Sequence, residues 1–283
     1  MEIRSGQPAA SCRLSFLLLL LSFCTSFAPC YADVDEQDYF LRERGNTALI
    51  LFIAGLGGKQ TWDSMTKLVE RDPGFSGFDY MVYYSPKELS IEENIRRLST
   101  ILSERQAAYE KVIFVGHSIG GIMIKGILLS QLSANPAVQR LPAMAITFGT
   151  PMNLDKFSVS TFKRLGARVS WFLISPLRKD VFNLERLKEI NSGWRTAAGT
   201  APLNGVRTVY VFGTEDEIAP AKGEGGSDRV LFIVGDHSGI VTPGSADACS
   251  WKIFKTAVLE PGTDLRSLNC LLNVKPLNGT TAH

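Results

Sequence analysis

Residues 111–129 read KVIFVGHSIGGIMIKGILL. Val112 to Val115 are four consecutive apolar residues, Gly116-His117-Ser118-Ile119-Gly120 follows without a break, and a second apolar run extends from Ile119 to about Ala134. An apolar run that does not alternate with polar residues suits a strand covered on both faces, and the longer run behind it suits a buried helix. A serine between glycines at such a junction is the feature that needs explaining.

The same alternation runs along the chain. Strand patterns cover Thr47–Ala54, Phe78–Ser85, Val112–Val115, Met144–Phe148, Val206–Phe212 and Arg229–Val234. Helical patterns cover about Trp62–Arg71, Ser90–Tyr109, Ile119–Ala134 and Ala246–Leu259, and Ser90 with Glu93 forms a capping box at the start of the second. Strands alternating with helices predict an α/β domain with a mostly parallel sheet and helices on both faces. Residues 152–199 interrupt the alternation. Phe157, Phe162, Leu165, Val169, Trp171, Phe172, Leu173 and Ile174 make its first part strongly apolar, and Val181, Leu184, Leu187 and Ile190 recur at helical spacing in its second. Two readings stand: a helical cap over the strand ends, with Trp171 and Phe172 contacting an apolar substrate, or two pieces of ordinary core.

With 283 residues, 45% hydrophobic and 20% charged, the chain has enough apolar mass for one α/β domain. Its formal charge of +2 gives no basic excess of the kind that nucleic acid selects. At the N-terminus, Arg4 and Arg13 precede an apolar run from about Leu14 to Phe27, and Cys30-Tyr31-Ala32 offers a small-residue cleavage site before Asp33. That order predicts a signal peptide over 1–32, an exported mature domain over 33–283, and as the alternative an uncleaved membrane anchor. Cleavage removes Cys12, Cys24 and Cys30 and leaves Cys249 and Cys270, which are either bridged in an oxidising compartment or two separately buried thiols. So few Cys and His residues do not make a metal cluster.

In a parallel sheet, ligands meet the protein at the carboxyl ends of the strands. Gly116-His117-Ser118-Ile119-Gly120 at such an end matches a nucleophile elbow, with Ser118 as the candidate nucleophile. A serine hydroxyl needs a base, and the chain has three histidines. His117 adjoins Ser118, and its side chain is expected to point away from the same cleft. His283 ends the tail. His237, just after the strand ending at Val234, is the expected base. Asp216, after the preceding strand, is the expected acid that orients it, with Asp155 or Glu215 as substitutes. Backbone N–H groups of Ile119 and Leu56 are the expected oxyanion donors, the latter in the glycine-rich loop after the first strand.

The segments LFIAGLGGKQTW, IFVGHSIGG, TFGTP, FNLERLKEINSGW and GDHSGIVTP, spread over residues 47–243, resemble the α/β-hydrolases. More narrowly they are similar to lipase-like serine esterases related to the serine-active-site-containing proteins and the inositol-glycan deacylases. The resemblance implies an α/β-hydrolase fold with a helical cap insertion. It also implies acyl-ester hydrolysis with no metal and no diffusible cofactor. An ester or lipid is the expected substrate, and peripheral contact with a membrane or lipid surface is an open expectation. Ser118, Asp216, His237, Leu56 and Ile119 take the family's roles. The chain departs from the pattern at Ala54-Gly55, where the family usually carries His-Gly and the histidine braces the loop. A non-catalytic relative that binds lipid or serves as an interaction module is the competing expectation.

Overall fold

The computed structural model describes residues 39–55, 58, 60–86, 89–134, 142–152, 183–197, 203, 205–219 and 230–272. The expected signal peptide lies outside the described residues.

Among the described residues, seven strands form one sheet: β1 Tyr39–Arg42, β2 Ala48–Ile53, β3 Phe78–Tyr83, β4 Lys111–His117, β5 Met144–Phe148, β6 Arg207–Gly213 and β7 Val230–Ile233. Their spatial order is β1-β3-β2-β4-β5-β6-β7. Only β1 runs antiparallel, pairing Tyr39 with Tyr83 and Arg42 with Tyr80; every other neighbour is parallel. The sheet is therefore mostly parallel, as the apolar runs predict. β1 is absent from the sequence-based expectation. Its burial alternates between partly buried and exposed, so YFLR carries no apolar run to mark it.

The helices are α1 Asp63–Arg71, α2 Ile91–Arg105, α3 Ile119–Ala134, α4 Leu184–Ala197 and α5 Cys249–Leu259. Side chains alternate across a strand, so each strand feeds both faces. Ile50, Phe52, Ile113, Val115, Ile146 and Phe148 pack with Trp62 and Met65 before and on α1 and with Trp251 and Phe254 of α5. On the other face the Tyr83 hydroxyl donates to Asn94 of α2 at 2.8 Å. The capping box is present: Glu93 N–H donates to Ser90 Oγ and Ser90 N–H donates to the Glu93 carboxylate. α5 begins at Cys249 rather than Ala246, because residues 246–248 are spent on a turn closed by Ala248 N–H to Ser245.

α3 is apolar around its circumference, and Ile119, Ile122, Met123, Ile124, Ile127 and Leu128 are all buried. It is covered by α2 and α4. The α4 helix is the describable half of the 152–199 insertion, and it behaves as core: Leu187, Ile190 and Trp194 are buried. Buried Lys125 of α3 donates to Asn191 Oδ1 at 2.6 Å, and Asn191 Nδ2 donates to the Met152 carbonyl. The Trp194 indole N–H donates to the Tyr210 hydroxyl of β6 at 3.1 Å. These bonds tie α4 to both α3 and the sheet. The first half of the insertion, with Trp171 and Phe172, lies outside the described residues.

A disulfide joins Cys249, at the start of α5, to Cys270, with the Cα atoms 5.5 Å apart. Of the two readings the sequence allows, the bridge is the one realised. Beyond it Leu272 N–H donates to the Phe232 carbonyl of β7, so the end of the described chain lies on the edge strand.

Candidate active site

β4 ends at His117, α3 begins at Ile119, and Ser118 makes the whole connection. Its φ is +55°, in the left-handed region that L side chains adopt only at a cost. Three contacts hold it there. Ser118 N–H donates to the Phe148 carbonyl at 2.9 Å, which prolongs the β4–β5 ladder by one residue. The Ser118 carbonyl accepts from Gly121 N–H at 3.1 Å and from the Thr150 hydroxyl at 3.0 Å.

The glycines explain themselves by distance. A Cβ on Gly116 would stand 2.7 Å from Gly121 N, and one on Gly120 would stand 2.3 Å from the Ile53 carbonyl. The elbow thus lets α3 start directly against the ends of β2 and β4. Gly55 closes the other side, since a Cβ there would meet Ser118 Cβ at 2.9 Å and Ile119 N at 3.5 Å. Ala54-Gly55 therefore lies against Ser118 and the first N–H of α3, at the positive end of the helix dipole. Leu56, the expected second donor, lies outside the described residues.

His237 and Asp216 come together from the loops after β7 and β6. Their loops are stitched by backbone bonds, with Thr214 N–H donating to Ile233 and Glu215 N–H to Gly235. His237 Nδ1 is 2.8 Å from Asp216 Oδ2, so with the carboxylate ionised Nδ1–H donates and Nε2 is left as the acceptor. The other carboxylate oxygen accepts from Ile218 and Ala219 N–H at 2.9 and 2.8 Å. Asp216 is buried with both oxygens engaged, whereas Glu215 is exposed. Asp155 lies outside the described residues. The loop before His237 is set by the Asp236 carboxylate, which accepts from Ser238 and Gly239 N–H at 3.1 and 2.7 Å. Gly149, just after β5, gives the pair room: a Cβ there would stand 2.9 Å from Asp216 Oδ2 and 3.1 Å from His237 Nδ1.

His117 corrects the sequence-based expectation. Rather than pointing away from the site it packs beneath His237: the ring centroids are 4.7 Å apart, and Nε2–H donates to the His237 carbonyl at 2.8 Å. The reason is strand parity. His117 shares the sheet face of Ile113 and Val115, and the loop after β7 folds over that face. The edge of Trp62 meets the same ring at 6.4 Å. Burial, reinforced by the neighbouring His237, pushes the pKa of His117 down to about 3, against smaller upward pulls from the His237 carbonyl and Asp216. His117 is a neutral donor that pins the backbone carrying His237. A histidine ending a strand, facing the side where a later loop returns, was the one sequence signal for it.

Among the described residues no group of three or more His, Cys, Asp and Glu side chains is placed to hold a metal ion. No family model matches the chain, and no curated protein matches its sequence. Solved structures do match it. A monoacylglycerol lipase from Paleococcus ferrophilus aligns with a TM-score of 0.50 at 15% identity, covering 81% of this chain and 98% of that one. The mature form of the Bacillus licheniformis lipase BlEst2 aligns with a TM-score of 0.52 at 15% identity, covering 78% and 97%. Identity this low speaks for architecture alone, and on architecture the sheet order, the helices on both faces and these neighbours agree: the chain has the α/β-hydrolase fold.

Proposed function

We propose that the protein is an exported serine hydrolase that cleaves carboxylic esters through an acyl-enzyme on Ser118. The observation that carries the reading is the buried 2.8 Å His237–Asp216 contact, with the His237 ring packed on His117, the residue before a serine at φ +55°. Strain of that kind persists where the surroundings enforce it, and it concentrates at working sites. An ester is proposed ahead of other acyl compounds by analogy with the monoacylglycerol lipase and the bacterial lipase that share the fold.

In this reading Ser118 Oγ attacks the ester carbonyl carbon while its proton passes to His237 Nε2. Asp216 holds Nδ1–H and stabilises the imidazolium. The oxyanion takes hydrogen bonds from Ile119 N–H and from Leu56 N–H, the partner that Ala54-Gly55 leads into. Collapse breaks the C–O bond, and the departing alkoxide takes the proton from Nε2. Water, deprotonated by the same nitrogen, then attacks the acyl carbon and returns the hydroxyl to Ser118. Trp171 and Phe172 are proposed to line the acyl site, and an ester or lipid at a membrane surface is the proposed substrate. Export is supported by the apolar N-terminal run and by the Cys249–Cys270 bridge, which suits an oxidising compartment.

The test is covalent. A fluorophosphonate should label the mature protein once, with the mass added to the peptide bearing Ser118. Ser118→Ala should abolish labelling, and His237→Ala should slow it by orders of magnitude. A folded protein that resists the probe would sink the enzyme reading in favour of the lipid-binding or interaction module.

A further inference from the structure

Two non-glycine residues among those described have positive φ: Ser118 and Ser85, the latter at +51°. The elbow accounts for the first. Ser85 stands two residues past the end of β3, the strand beside β2, and a glycine would take its conformation without penalty. What serine adds there over glycine is its hydroxyl. That hydroxyl donates to the Ala54 carbonyl at 2.8 Å, and Met123 Sδ of α3 lies 4.0 Å away on its other side.

Ala54 is fully buried and held by two hydrogen bonds, with Gly120 close by. Its N–H donates to the Tyr83 carbonyl at 3.1 Å, its carbonyl accepts from Ser85, and that same oxygen is 3.1 Å from where a Gly120 Cβ would stand. The next residue, Gly55, packs on Ser118 Cβ and Ile119 N. The direction in which the chain leaves β2 is therefore fixed by the Ala54 carbonyl, and the hydroxyl of Ser85 is its side-chain anchor. We infer that Ser85 is a positioning residue for the oxyanion loop: it locks the Ala54–Gly55 peptide against the elbow so that the N–H groups around Ser118 are aimed before substrate arrives. The inference rests on the reading of Ser118 as nucleophile. It assigns Ser85 no contact with substrate, only the aim of groups that make one.

A prearranged donor acts on the transition state more than on bound substrate, so its misalignment lowers kcat and leaves KM in place. Ser85→Ala and Ser85→Gly both remove the hydroxyl, and Ser85→Gly also relieves the left-handed strain. Turnover of p-nitrophenyl acetate should fall about ten-fold in both, less than the ~100-fold or more that follows loss of an oxyanion donor itself. KM should stay within about two-fold, and the rate of fluorophosphonate labelling at Ser118 should fall in parallel with kcat. Melting temperatures, read on the same samples, should change little. Full turnover in Ser85→Gly would overturn the inference, for it would make Ser85 a turn-former only. A rise in KM equal to the fall in kcat would overturn it as well, by placing Ser85 in substrate binding. If the unaltered protein fails to label at Ser118, the nucleophile reading falls and takes the inference with it, a failure seen before any Ser85 variant is made.

Discussion

Acidification should find His117 before it finds the carboxylates. In the folded protein this imidazole is neutral, with its pKa at about 3, whereas in the unfolded chain it returns to near 6.5. Between those values the unfolded state binds the extra proton, so stability is complete above the unfolded pKa and is lost as pH falls below it. The slope approaches about 1.4 kcal/mol per pH unit, and integration from about pH 7.5 to about pH 5 gives a loss of roughly 2 kcal/mol. For a domain of this size that is a fall in melting temperature of about 4–8 °C. The depressed carboxylates of Asp72 and Glu93 start from ordinary values of 3.8 and 4.5, so they act mainly at lower pH. The control is His117→Gln, whose amide can still donate to the His237 carbonyl but does not titrate. Melting is followed by circular dichroism for both proteins at the two pH values. His117→Gln should be less stable than the unaltered protein at pH 7.5 and should close most of that gap at pH 5. A gap that stays constant across the window would mean that His117 is not held neutral by burial.

Three other outcomes are expected. Asp216→Asn should lower kcat on a short p-nitrophenyl ester by up to roughly 10⁴-fold with the far-ultraviolet spectrum unchanged, because it spoils the tautomer His237 needs; unimpaired turnover would move the acid elsewhere, with Asp155 the first to test. Replacing Cys249 and Cys270 with serine opens a loop of sequence separation 21, which in the chain-entropy model costs about 3 kcal/mol and about 6–12 °C in melting temperature. An unchanged melting temperature would mean that α5 and its tail are held by packing alone. Gly120→Ala drives a Cβ to 2.3 Å from the Ile53 carbonyl, a clash of backbone with backbone that should cost at least about 2 kcal/mol, and a denaturant midpoint equal to that of the unaltered protein would contradict the close approach of α3 to β2.

The parts of the fold legible in the sequence are those whose cause is local. β2, β4 and β5 are built on apolar runs because both of their faces are covered, and α3, reached through His117 and Ser118, is apolar around its circumference because it too is surrounded. The capping box at Ser90 and Glu93 is visible for the same reason: both partners lie within one turn. β1 is an edge strand of four residues with a mixed face, stabilised by pairing with β3 about 40 residues later, and nothing in YFLR announces that partner. The insertion shows the limit of periodicity. Helical spacing over 184–194 is plain, but whether that stripe faces a cleft or a neighbouring helix depends on Lys125, Asn191 and Tyr210, which only the fold brings together.

The candidate site divides along the same line. Ser118 is legible because a strained turn needs glycines around it and the whole motif lies within five residues. His237 and Asp216 are legible by elimination and by chain order. The residues that support them were not. His117 meets the His237 carbonyl across 120 residues, and Ser85 meets the Ala54 carbonyl across 31. Both bonds run from a side chain to a backbone oxygen, and a backbone oxygen leaves no mark on the sequence. Both also act at positions that decide geometry: one holds the loop that carries the imidazole, the other the Ala54–Gly55 turn against the elbow, ahead of the proposed oxyanion donors. A reaction centre assembled from separate strand ends depends on how well those ends are held to one another, since a displacement of about 1 Å can cost two orders of magnitude in rate. The precision of the candidate site therefore rests on contacts that the sequence hides, while the groups proposed to react are residues that it shows.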